Sequence, residues 1–325
     1  MNFTRAAAHA GPNGSGWYEA IPEKLKKIMD TYFSKVDDTA ALGRNERLLG
    51  LIAPHAGMSY SGPTASYAYK VLREYLYGTG GKGERVKQIF LLGPSHVKGF
   101  EGVEVSAAGA FETPFGPLTV DTGIIAKVKA ALEQAGVPVS YAAKATDERE
   151  HSIEMQIPFV SHVLYFPPAG QSPKAAAVKI VPMVVGWSDA AMEERISVAL
   201  QPYLEDEASV FIYSSDFCHW GSRFAYTYHY EPKTFPVIGD AIIAMDRKAI
   251  DLLENLDKKA WYAYFKATEN TICGRHPISV GLQYWSREDN RSDTQVTFLH
   301  YSQSNRCESV RDSSVSYASA IITKG

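Results

Sequence analysis

Apolar positions along the chain fall into two periods. Short, mostly apolar runs at 48–53, 86–92, 178–185 and 210–213, the first of them unbroken, read as buried strands. Between them, apolar residues three and four apart predict amphipathic helices over 21–33, from Pro63 to about 76, and over 122–134, 189–204, 235–253 and 257–266. Pro63 suits a first helical turn, and Gly136 a helix stop. Segments 103–107 and 118–120, separated by Thr113-Pro114-Phe115-Gly116-Pro117, predict a β-hairpin. Asp147 and Glu150 have capping-box spacing and predict a helix from His151 to about Leu164, kinked or cut short at Pro158. A helix ending near Trp285 and strands near 296–301 and 315–322 close the chain. Strands and helices alternate without a repeat or an evident boundary. The expected fold is therefore α/β: a single domain over 1–325 around a mixed β-sheet with flanking helices.

Composition narrows the function classes. The 325 residues are 45% hydrophobic and 21% charged, with a formal net charge of −3, so no basic face for nucleic acid is expected. No apolar run reaches the length of a membrane span. Cys218, Cys273 and Cys307 are too few and too scattered for a disulfide framework, and no secretory signal is visible. A cytoplasmic location is expected, with the nucleus as an alternative. The Gly-rich stretch 78–83 reads as a surface connector, because no Lys-Ser/Thr follows to make a phosphate loop.

Three buried strands run into polar exits that carry a histidine: His55, His96, and the pair Asp216 and His219. Neighbouring strand ends of an α/β sheet can bring such exits together. A fourth loop places Cys273 just ahead of a helix start, where the macrodipole favours a thiolate. Two imidazoles and a thiolate suit copper, iron or zinc. Asp216 and His219 then support the ligands or handle protons. Singly, each residue has a plainer reading: a strand-end histidine is more often a satisfied turn residue, and a lone cysteine an inert side chain. Their joint placement favours a site. His151, between Glu150 and Glu154, lines the same cavity or caps its helix. Arg223 and Arg275 flank the candidate loops and would meet an anionic group or form surface ion pairs. His9, His162, His229 and His300 gain no role from spacing. Cys218 is expected to pack beside Trp220, and Tyr226, Tyr228 and Tyr230 to form a half-buried edge. A hydrolase using Ser215 or Cys218 with His219 is disfavoured, since no Gly-x-Ser-x-Gly elbow is present.

Several blocks occur in one order along nearly the whole chain. They are Arg5 with His9-Ala10-Gly11 and Trp17-Tyr18, Ala53-Pro54-His55-Ala56-Gly57, and Leu92-Gly93-Pro94-Ser95-His96. Glu150 through Met155, Ser214 through Gly221, Asn270 through Gly274 with Pro277-Ile278, and Asp312 through Tyr317 follow. Together they resemble the Memo family. Residues 12–16 are an insertion relative to that pattern. The resemblance implies a fold like the class III non-haem iron dioxygenases, with His55, His96 and Cys273 at a metal site and Asp216 and His219 beside it. It also implies copper-dependent redox activity, with iron as the other metal. For animal members it implies an adaptor role toward phosphotyrosine peptides. Extradiol enzymes hold Fe(II) with two histidines and a carboxylate. The loop 271–278 offers Cys273 and no acidic residue, so ring cleavage is not expected. The favoured expectation is a redox metalloprotein. The alternative is a binding module in which the same cleft, with Arg223 or Arg275, receives a phosphorylated or acidic peptide.

Overall fold

Nine strands form one mixed sheet in the computed structural model, which describes residues 3–37, 46–78, 82–228, 231 and 233–325. In chain order they are β1 (Arg47–Ala53), β2 (Gln88–Pro94), β3 (Val103–Val105), β4 (Val139–Tyr141), β5 (Lys179–Val185), β6 (Ser209–Ser214), β7 (His219–Trp220), β8 (Thr294–Gln303) and β9 (Ser314–Lys324). Their order across the sheet is β7-β9-β1-β6-β2-β5-β3-β4, with β8 paired to β9. The middle four, β1-β6-β2-β5, are mutually parallel, and antiparallel β9 and β3 flank them. β6 is buried throughout and β1 and β2 at all but their first residue, as their mostly apolar runs require. Helices α1 (Pro22–Ser34), α2 (Met58–Tyr77), α3 (Thr122–Gln134), α4 (Lys144–Arg149), α5 (His151–Glu154), α6 (Ile157–Tyr165), α7 (Ala190–Glu205), α8 (Ile238–Glu254), α9 (Lys258–Thr268) and α10 (Arg275–Trp285) pack around the sheet. Trp220, Trp261 and Trp285 are fully buried in the core. No helix among the described residues is long and apolar enough to cross a membrane.

Three expectations need correction. Segments 103–107 and 118–120 do not pair with each other: β3 lies between β5 and β4, and Leu118–Thr119 pairs with Ala110–Phe111. Residues 113–117 do form the turn, but it joins 118–119 to the nearer short strand, Ala110–Phe111. Helix α2 starts at Met58, with Pro63 inside it. The amides of Tyr60 and Ser61 already close onto the Gly57 carbonyl, at 2.8 and 3.2 Å, so the helix begins directly at the β1 exit. The helix expected from His151 is divided between α5 and α6, and Pro158 opens the second piece. Its cap is Glu150 rather than Asp147: the Glu150 carboxylate accepts the Ser152 amide at 3.0 Å. Residues 79–81 of the connector, His229 and Tyr230 lie outside the described residues.

Candidate metal centre

The register of the central strands explains how distant histidines meet. β6 lies between β1 and β2, pairing Ser214 with Ala53 and Tyr213 with Leu92. His55 and His96 each leave two residues beyond their strand end, on either side of β6, at the carboxyl edge of the parallel strands. Helix α5 brings His151 to the same edge. A Cβ on Gly93 would lie 2.6 Å from Ser152 Oγ, so glycine there permits this close approach. One ligand nitrogen from each of His55, His96 and His151 lies within 4.8 Å of the others. The ring centroids are 5.2 Å apart for His55 and His96, 5.4 Å for His55 and His151, and 4.4 Å for the stacked pair His96 and His151.

Hydrogen bonds behind the rings fix which nitrogen is free. Ser214 Oγ donates its one proton to the Ser152 carbonyl at 2.6 Å and accepts from Gln156 Nε2 at 2.8 Å. It must therefore accept from His55 Nδ1, also 2.8 Å away, which leaves His55 Nε2 with a bare lone pair. Cys273 Sγ stands 3.1 Å from that Nε2. Glu150 holds His96 twice, accepting from Nδ1 at 3.0 Å and from the backbone amide at 2.6 Å. Its Oε1 is also 3.7 Å from His151 Nδ1. Carboxylate and hydroxyl partners of this kind orient metal-ligating imidazoles in general.

The electrostatics favour neutral imidazoles at His55 and His151. Burial, and then the neighbouring His96, His151 and His219, hold His55 well below the ordinary histidine range. Burial and His96 bring His151 down to about 4, against the pull of Glu150. For Glu150, burial opposes ionisation, but hydrogen bonds and charge from His96 outweigh it and bring the carboxyl down to about 2. Burial, followed by the Asp216 carboxylate, pushes the Cys273 thiol up. The thiolate expected from the helix start is thus not favoured in the protein alone: desolvation exceeds the macrodipole's help.

The chain matches the family model described as Memo-like protein over residues 5–321. It is 34% identical to the Protein memo-1 homolog of Caenorhabditis elegans, covering 98% of this chain and 82% of the worm protein. It is also 34% identical to Protein MEMO1 of Homo sapiens and of Mus musculus, over 98% of this chain and 97% of each relative. The chain belongs to the Memo family.

This Memo-family fold divides the residues singled out in the sequence between two recesses. One, of about 380 Å³, is lined by His151, Asp216, His219 and Arg223, with Trp17 and Tyr317. The other, of about 400 Å³, is lined by His96, Cys273, Arg275 and His276. His55 is buried between its neighbours and lines neither. Arg223 and Arg275 therefore do not share a cleft. Asp216 does not hold His219 by a hydrogen bond either. Its Oδ1 accepts the amides of His55 and Ala56 at 2.8 and 3.2 Å, clamping the β1 exit, while His219 Nδ1 donates to the Phe217 carbonyl at 2.9 Å. Burial raises Asp216, against His219 and those two amides. Ser215 Oγ donates to the Asp216 carbonyl and Cys218 is fully buried, so neither is presented as a nucleophile.

Spacing gave no role to two groups that support the centre. Glu154, almost fully buried, accepts from His9 Nδ1 at 2.8 Å, from Arg5 at 2.8 Å and from Tyr18 OH at 3.1 Å. His9 lies 6.1 Å from His151 and 5.5 Å from Trp17 by ring centroids. Trp17 in turn rests 4.6 Å from His151. Glu150 and Glu154 flanking His151 were the available signal, but Glu154's partners Arg5 and His9 lie 149 and 145 residues away and Glu150's partner His96 lies 54 away. His162 and His300 do sit in ordinary structural pairings, with Asp30 and Thr64.

Proposed function

We propose that this Memo-family protein binds a redox-active transition metal, copper foremost and iron as the alternative, and acts as a metal-dependent oxidoreductase. The observation that carries the reading is the group of three imidazole nitrogens within 4.8 Å, two of the rings having their far nitrogens anchored by Ser214 and Glu150. His55, His96 and His151 would hold the metal, with Cys273 as an additional sulfur ligand. Such a donor set fits copper in both oxidation states, imidazole suiting Cu(II) and thiolate Cu(I). When bound, copper supplies one-electron exchange. The chain's own residues prepare the site: Asp216 fixes the His55 loop, Glu150 fixes His96, and Trp17 covers His151 from solvent. His219, with Nδ1 held by Phe217, presents Nε2 as the group that takes up or delivers a proton. Residues 1–325 as one class III dioxygenase-like domain belong to the same reading, supported by ligands at the carboxyl ends of parallel strands.

Copper titration against a competitor dye tests it. His151→Ala and His96→Ala are expected to weaken binding by about tenfold or more, and His219→Ala to leave it within about twofold. Wild-type affinity in both ligand variants would remove the centre. A second reading rests on the recess that holds Arg223. Exposed Arg223 beside Trp17 and Phe224 suits a phosphorylated or acidic peptide, with the metal site as a bystander. Retained phosphotyrosine-peptide affinity in Arg223→Ala would count against it.

A further inference from the structure

The recess on the Cys273 side contains an oriented guanidinium without an anionic partner among the described residues. Arg275 is the first residue of α10, and its Nε donates to His276 Nε2 at 3.3 Å. An arginine can only donate, so His276 carries its proton on Nδ1, and Nδ1 donates to Glu193 Oε1 at 2.7 Å. Glu193 is 1% exposed, and it is held in turn by Ser188 Oγ at 3.1 Å and by the Tyr262 hydroxyl. The Phe265 ring lies under the guanidinium, 5.6 Å from its centre. Five buried or half-buried side chains (His276, Glu193, Ser188, Tyr262 and Phe265) thus aim Arg275. Neither of its terminal nitrogens reaches a protein acceptor among the described residues.

The rest of the wall suits an apolar body. Trp187, 57% exposed, and Phe100 line the recess, which also reaches His96 and Cys273. Lys98 lines it too but is tied to Glu104 at 2.6 Å, so Arg275 carries the available donors. Glu269 also contributes to the lining. A volume of about 400 Å³ is that of a small-molecule site rather than a macromolecular groove.

We propose that this recess binds a small organic oxyanion with a flat apolar body, its carboxylate or phosphate paired with Arg275 and its body lying against Trp187. The fork of two N–H donors matches a planar carboxylate or two phosphate oxygens. The exposed indole offers the stacking face. The proposal goes beyond metal binding and does not depend on it, since none of these contacts involves the three-histidine group.

The test uses the full chain freed of metal. Benzoate, phenyl phosphate and neutral benzamide are titrated by isothermal calorimetry or ligand-observed NMR. Benzoate or phenyl phosphate is expected to bind and benzamide to fail; whichever anion binds tighter identifies the head group. Arg275→Gln is expected to weaken anion binding about tenfold or more, the loss of a charge-assisted pair. Trp187→Ala, an exposed position that cannot unfold the core, is expected to weaken it several-fold. Equal binding by both variants, or equal binding of benzamide, overturns the proposal. Binding seen only after metal loading also overturns it, while leaving the metal reading intact. A metal-free protein that binds the anion in an Arg275-dependent way supports it even if the copper titration fails.

Discussion

Cys273 stands 3.1 Å from the Nε2 of His55, an atom that the Ser214 hydrogen bonds leave without a proton. In the protein alone the thiol therefore serves as a donor to that nitrogen, with the Asp216 carbonyl at 3.6 Å as its other acceptor. A serine at 273 would keep the hydrogen bond but not the soft ligand that Cu(I) prefers. Cys273→Ser is expected to lower Cu(I) affinity about tenfold or more, with little change in metal-free melting temperature. Cys218→Ser, at a buried position whose amide bonds Asp246 rather than the centre, should leave Cu(I) affinity unchanged. Equal Cu(I) affinity in the two variants, read with a competitor dye, would remove Cys273 from the site. At this scale the sequence showed which residue types were present. It did not show their tautomers, because those depend on Ser214, Gln156 and Ser152, which spacing could not connect to His55.

The start of α10 shows how an element delivers chemistry. Gly274 precedes the helix with φ −84° and ψ 17°, angles open to any residue, so conformation does not demand glycine. Space does: a Cβ there would fall 2.3 Å from Ser215 Cβ and 2.5 Å from the Ser214 carbonyl. The helix is thereby pressed against the β6 exit, with the Gly274 amide donating to Ser215 Oγ at 2.9 Å. That contact sets Cys273 against His55 and Arg275 into its recess. Gly274→Ala is expected to destabilise the protein by about 2 kcal/mol through overpacking against backbone, and to weaken metal binding with it. Gly99→Ala, where an added Cβ meets nothing within 4 Å, should change stability by less than about 0.5 kcal/mol. Urea unfolding of both variants checks this; equal midpoints would show that the helix can shift without cost. Periodicity located α10, but a steric requirement between residues about 60 apart leaves no local trace beyond the glycine itself.

Across the whole molecule, the parallel centre of the sheet collects imidazoles and a thiol at one edge, but among the described residues no carboxylate joins the three-nitrogen group. Asp216 is committed to two backbone amides and Glu150 stands behind His96. Facial two-histidine, one-carboxylate Fe(II) sites are the arrangement that extradiol cleavage uses. Negligible cleavage of simple catechols with Fe(II) is therefore expected, beside measurable oxygen uptake with copper and a reductant. An oxygen electrode read together with absorbance of ring-opened product decides it, and rapid catechol opening would sink the argument. The sequence by itself determined the α/β alternation, the buried central strands and the strand exits that carry His55, His96 and Asp216. Those follow from local period and from turn chemistry, which neighbouring residues encode. It also placed Cys273 at a helix start. Only the tertiary structure decided that His151 completes the group, that His9 and Glu154 support it, and that Arg223 and Arg275 face different recesses. Strand order is the physical reason: with β6 inserted between β1 and β2, the two histidine exits converge over it, and what stands on either side is set by packing between segments far apart in the chain.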